Sequence, residues 1–133
     1  MDYEAEKKFI KKFVHKNFQE RVSAEWNDPK KREEGLYKIA SIPEGYLKRE
    51  KIALTAKSKR EECALLSEVR AFPDKKAYMI VDFPEWDGRY LEKETAVKNA
   101  LEWDGPSILV FESGALLTLE TGFGTADKYL LKE

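Results

Sequence analysis

Cysteine and histidine are nearly absent from this chain, with one of each in 133 residues, Cys63 and His15. A single cysteine excludes an internal disulfide and suits a reducing compartment. One cysteine and one histidine also exclude a closed zinc site within a monomer. Long hydrophobic runs are missing. The longest, Ser107–Phe111 and Ala115–Leu119, are far too short to span a bilayer. The opening Met1-Asp2-Tyr3-Glu4 is acidic and leads into no apolar core, so no signal peptide is expected. No charge of one sign prevails, because 24 Lys and Arg oppose 25 Asp and Glu for a net charge of −1. That balance argues against a general nucleic-acid binder, which carries a basic domain or face. These absences lead to an expectation of a cytoplasmic protein. No stretch rich in Gly, Ser or Pro divides the chain, so residues 1–133 read as a single domain.

What is present is a full complement of core builders. Hydrophobic residues make up 42%, including three Trp, six Tyr and seven Phe. A chain of this length buries about two-thirds of its unfolded surface, and its low net charge excludes intrinsic disorder. The charged share, 37%, exceeds the usual quarter and implies a heavily charged surface.

The first half has helical periodicity. Ile10, Val14, Phe18, Val22 and Trp26 form a row at four-residue spacing, widened by Phe9 and Phe13, which predicts one amphipathic helix over residues 4–26. Asp2, Glu4 and Glu6 suit its N-terminal dipole. Asp28-Pro29 predicts a capped second helix running to about Ala40, with Leu36, Ile39 and Ala40 inward. Pro43-Glu44-Gly45 reads as a turn. From Tyr46 to Ala56 the pattern fits a short helix or an irregular packed segment. Ser58 and Glu61 have capping-box spacing and favour a helix through Cys63, Leu65, Leu66, Val69 and Phe72, with strand alternation as the competing reading.

The second half reads as sheet. Ala77–Phe83 is a buried strand, Asp87-Gly88 a turn, and Glu92–Trp103 a helix with Ala96, Val97, Ala100, Leu101 and Trp103 inward. Ser107–Glu112 and Ala115–Thr121 flank the hairpin signal Ser113-Gly114. Gly122-Phe123-Gly124 is a further turn before a last strand at Lys128–Lys132. Strand, helix and strand between Ala77 and Glu112 predict a parallel crossover. The expected fold class is α+β, with N-terminal helices packed on a four-stranded mixed sheet that has one crossover helix. Glu85-Trp86-Asp87-Gly88 recurs as Glu102-Trp103-Asp104-Gly105, and Glu25-Trp26-Asn27-Asp28 resembles both. Each is read as an element ended on a tryptophan core anchor before a turn.

Chemistry-bearing residues are sparse. His15 lies one residue off the apolar row among lysines, as a surface or boundary histidine would. Cys63 near a helix start suggests an activated nucleophile, but a small buried hydrophobe is the preferred reading. Asp82, Glu85 and Asp87 lack calcium-loop spacing and read as a solvated acidic loop. Gly122 and Gly124 are no phosphate loop. No cofactor, metal or catalytic residue is assigned. The candidate binding residues are Arg21 and Glu25, an i,i+4 pair, with Lys31 and Arg32 at the next helix start and Trp86 and Asp87 at the later turn.

Three stretches carry a family likeness: Arg21-x-x-x-Glu25 followed by Pro29-Lys30-Lys31-Arg32, then Gly105-Pro106-Ser107-Ile108-Leu109, then Gly124 with Lys128-Tyr129-Leu130-Leu131. Together they resemble a group of short, functionally uncharacterised bacterial proteins. The resemblance implies a stand-alone bacterial cytosolic protein and no particular activity or site. The expected function is a small binding module without catalysis, of immunity or accessory type, whose partner is another protein. A small enzyme using carboxylates or Cys63 in a helix–sheet cleft is the alternative, followed by a weak nucleic-acid binder through the basic face of the first helix. A monomer and a homodimer remain open, the latter through an exposed sheet edge at the last strand.

Overall fold

Pleating decides the architecture: alternate residues of the central strands enter two separate hydrophobic cores, so helices cover both faces of the sheet. The computed structural model describes residues 1–119 and 126–133. Its elements are α1 (Tyr3–Phe13), α2 (Gln19–Asn27), α3 (Arg32–Ser41), α4 (Pro43–Tyr46), β1 (Ile52–Ala56), α5 (Lys59–Ala71), β2 (Lys76–Val81), β3 (Arg89–Glu92), α6 (Lys93–Glu102), β4 (Ser107–Val110), β5 (Ala115–Thr118) and β6 (Lys128–Leu131). The strands form one sheet in the order β1-β6-β5-β4-β2-β3.

Tyr78, Ile80, Ile108, Ala115, Leu117, Tyr129 and Leu131 meet Phe9, Phe13, Val22, Trp26, Leu36 and Ile39 from α1, α2 and α3. From the opposite face, Met79, Val81, Leu109, Leu116 and Leu130 meet Leu65, Leu66, Val69, Val97 and Ala100 from α5 and α6. The register lines up Met79, Leu109, Leu116 and Leu130 as one cross-strand row. None of the helices among the described residues is long and apolar enough to cross a membrane.

The α+β class stands, but the sheet is not the expected four-stranded mixed one. It has six strands among the described residues, and every neighbouring pair is antiparallel. The expected parallel crossover from the first strand fails because β3 intervenes. The chain reverses at Asp87-Gly88, where Gly88 takes φ +74°, and β3 runs back along β2. The α6 crossover therefore links β3 to β4, which flank β2 and are both antiparallel to it. The last strand, β6, is internal, and β1 and β3 form the edges.

The long first helix is broken as well. Val14 turns extended and bridges Leu47, while His15 N donates to Tyr46 O and Lys48 N to Phe13 O. Tertiary pairing thus takes the backbone out of the helix, yet Ile10, Val14, Val22 and Trp26 of the row are buried and Phe18 is half-buried against them. The second helix starts at Arg32, later than expected. Asp28 Oδ1 accepts from Lys30 N, and its carbonyl accepts from Lys31 N and Arg32 N. Pro43-Glu44-Gly45, expected as a turn, lies in the four-residue α4. The Ser58–Glu61 capping box forms as read. The Gly122-Phe123-Gly124 turn lies outside the described residues.

Leu109 is fully buried in β4, between β2 and β5. Leu109→Ala should lower unfolding free energy by about 2–5 kcal/mol in urea titrations. A loss below about 1 kcal/mol would contradict its central position.

Candidate functional site

The first candidate corner is built on one arginine. Arg32, in the first turn of α3, is buried and spends all five guanidinium N–H donors. Nε and Nη2 bind Asp87 Oδ2 and Oδ1 at 2.7 and 3.0 Å, and Nη1 and Nη2 bind Glu6 Oε1 and Oε2 at 2.7 and 2.6 Å. The fifth donor reaches Trp26 O at 3.0 Å. Two carboxylates against one guanidinium leave a residual negative charge. Tyr78 Oη donates to Glu6 Oε2 at 2.6 Å and Val81 N to Asp87 Oδ1 at 3.2 Å, which spreads it. Burial alone would lower the Arg32 pKa, but the hydrogen bonds and charges of Glu6 and Asp87 outweigh it and raise it above the ordinary arginine value. Burial, reinforced by the bond to Glu6, also raises the Tyr78 phenol.

Asp87 lies next to the end of the loop 82–88, and the network therefore anchors that loop. Phe83 and Trp86 within it pack on Trp103, at the end of α6, with ring centroids 4.6 Å (Phe83–Trp86), 5.4 Å (Phe83–Trp103) and 6.0 Å (Trp86–Trp103) apart. All three rings are half-buried. The two Glu-Trp-Asp-Gly segments thus converge in space, whereas Trp26 of the third is fully buried and stacked on Phe9. Gly105 allows a close approach here, since a Cβ would lie 3.0 Å from both Trp103 Nε1 and Tyr37 Oη. Tyr37 is one turn beyond Glu33 on α3, so α3 borders the aromatic surface.

The remaining candidates separate. Arg21 and Glu25 do not pair with each other. Arg21 donates to Tyr46 Oη at 3.0 Å and lies over the Phe18 and Tyr46 rings, whereas Glu25 is buried and accepts from Lys38. Lys31 is exposed at the N-cap of α3. Arg32 and Asp87 come together, and Trp86 adjoins them through the loop. Asp87 is not part of a solvated acidic loop, because burial against Arg32 claims it. His15 is exposed, as read. Cys63 is exposed on α5 rather than buried, because Leu65, Leu66 and Val69 take the inward face.

Glu6 and Tyr78 were not among the candidates from sequence. Glu6 sits four residues before Ile10 on the apolar row, and Arg32 four before Leu36 on the stripe of α3. A charge on a buried stripe needs a partner of opposite sign, and two such charges can satisfy each other.

A concavity of about 720 Å³ lies beside α1 over β3, β2 and the end of β4. Phe9, Phe13, Tyr78, Tyr90, Val110 and Phe111 contribute apolar surface, with lysines and carboxylates among the other lining residues. Its phenols are engaged: Tyr90 donates to Asp2 and Tyr78 to Glu6. Neither His15 nor Cys63 lines it. Among the described residues, no three His, Cys, Asp or Glu side chains gather to hold a metal ion. No protein-family model, curated protein or solved structure matches this chain.

Arg32→Met would leave Glu6 and Asp87 buried without a cation and should cost about 3–5 kcal/mol in chemical denaturation. A variant within about 1 kcal/mol of the parent would deny the network its structural weight.

The hydrogen bond to Asp2 pushes the Tyr90 phenol up to about 12. A pKa raised in the folded state contributes stability below the unfolded value, about 10, and that contribution is lost as pH rises through about 12. Ultraviolet titration should therefore show Tyr90 ionising late, and Asp2→Asn should bring it back toward 10. An unchanged tyrosinate curve for Asp2→Asn would refute that bond.

Proposed function

We propose that the protein is a non-catalytic binding module that docks another protein on the surface formed by Phe83, Trp86 and Trp103. The observation that carries this reading is three mutually packed aromatic rings left half-exposed, two on the loop that Arg32 anchors through Asp87 and one at the end of α6. Aromatic side chains supply much contact area and few rotamers, so they dominate interface energetics. A loop already fixed in its bound shape loses little entropy on association. Cys63, one of the groups on which the enzyme alternative would rest, is exposed on α5 and lies outside the cleft beside α1, whose lining carboxylates Asp2 and Asp74 are engaged by Tyr90 and by Ser113.

Affinity capture from an extract of the source cells, run in parallel with three baits, tests the proposal. The native protein should retain a stoichiometric protein partner. Trp86→Ala, with its fold checked by circular dichroism, should retain at least about tenfold less, while Tyr90→Ala in the α1 cleft should retain it fully. Loss with Tyr90→Ala alone would move the docking surface to that cleft. Retention of nothing by the native protein would overturn the binding reading.

A further inference from the structure

The cleft beside α1 is separate from the docking surface, since neither Phe83, Trp86 nor Trp103 lines it. Its volume, about 720 Å³, falls within the roughly 300–1,000 Å³ of small-molecule sites. The apolar lining is mostly aromatic. On the α1 side the Phe9 and Phe13 ring centroids are 5.4 Å apart, and Tyr78 and Tyr90 lie 5.0 Å apart as a cross-strand pair of β2 and β3. Hydrogen bonds tie helix to sheet across it: Tyr78 Oη accepts from Asp2 N at 3.0 Å and donates to Glu6, and Tyr90 donates to the Asp2 carboxylate. The cleft is therefore preformed.

The charged groups around this lining differ in what they already bind. Asp2 accepts from Tyr90 Oη and Ala5 N, and Asp74 from Glu112 N and Ser113 Oγ, so all four of their oxygens are bonded. Lys12 pairs with Glu133 at 3.2 Å. Lys8, Lys75 and Lys76 make no ion pair among the described residues, and they outnumber the two unpaired carboxylates of the lining, Glu4 and Glu112. Lys8 comes from α1, and Lys75 and Lys76 from the start of β2, so helix and sheet both contribute free cations. We propose that the cleft binds a small aromatic acid, its rings on the Phe9, Tyr78 and Tyr90 surface and its acid group toward these lysines. Aromatic walls favour a flat ring that can stack or meet them edge-on. The compact ammonium of lysine accepts an acid group from many directions, so no fixed fork is required. A cationic ligand would find Asp2 and Asp74 already engaged, and a neutral one would gain nothing from the lysines.

The probe is anilinonaphthalene sulfonate, whose fluorescence rises in apolar surroundings, beside phenylnaphthylamine, which has the same rings and no acid group. The native protein should bind the sulfonate saturably, about tenfold or more tighter than the neutral amine, with the difference shrinking as salt is added. Lys8→Gln combined with Lys75→Gln and Lys76→Gln, all at exposed positions, should remove that tenfold preference and leave the amine and the melting temperature unchanged. Tyr90→Ala should weaken both probes, and Trp86→Ala should alter neither. Equal affinity for the two probes, an unaffected lysine variant, or no saturable binding would each overturn the proposal. Loss of sulfonate binding with Trp86→Ala would overturn it as well, by placing the probe on the docking surface.

Discussion

A buried guanidinium must find a partner for every one of its donors, and Arg32 does so by drawing on separate parts of the chain. Glu6 comes from α1, the Trp26 carbonyl from α2, and Asp87 from the loop that turns β2 into β3. Tyr78 of β2 and the Val81 amide then take up the spare carboxylate valences. Hydrophobic burial alone would leave the helical layer free to slide over the sheet. Five directed bonds to fixed atoms allow one placement only, so the network sets the register of α1 and α3 against β2. Desolvation of three charges opposes it, and the doubly bidentate geometry offsets that cost.

The sheet topology then places the aromatic surface. Val81, the last residue of β2, pairs with Ser107, the first of β4, because the two strands are antiparallel. The loop leaving β2 and the segment entering β4 therefore emerge side by side at one end of the sheet. Each carries a Glu-Trp-Asp-Gly copy, which explains why two distant tryptophans meet. Arg32 brings the start of α3 to the same end, and Glu33 and Tyr37 come with it. A parallel crossover would have sent these loops to opposite ends.

Legibility in the sequence followed the environment of each segment. Elements buried along one face or both, such as α5, β2, α6 and β4, show clear periodicity and were read with small errors at their ends. The two edge strands were missed because their surroundings dilute the pattern: Ala53, Leu54 and Thr55 of β1 are exposed, and β3 is the charged tetrad Arg89-Tyr90-Leu91-Glu92. Missing β3 alone turned an antiparallel sheet into a mixed one. The break after Phe13 was invisible because its cause, pairing with Leu47 and Lys48, lies more than thirty residues away. Among the site residues, Arg32, Trp86 and Asp87 could be singled out by type and position, whereas Glu6 and Tyr78 required the fold. Arg21 and Glu25, paired by spacing, were each claimed by a residue of another element.

Asp82 and Asp87 belong to the same loop and both keep partial contact with solvent, yet only Asp87 has an ion-pair partner among the described residues. Little of the Asp87 side chain reaches water, and a carboxylate so placed needs a partner of opposite charge, which Arg32 supplies. Asp82 makes no ion pair among the described residues, and its partial contact with solvent lets water support the charge instead.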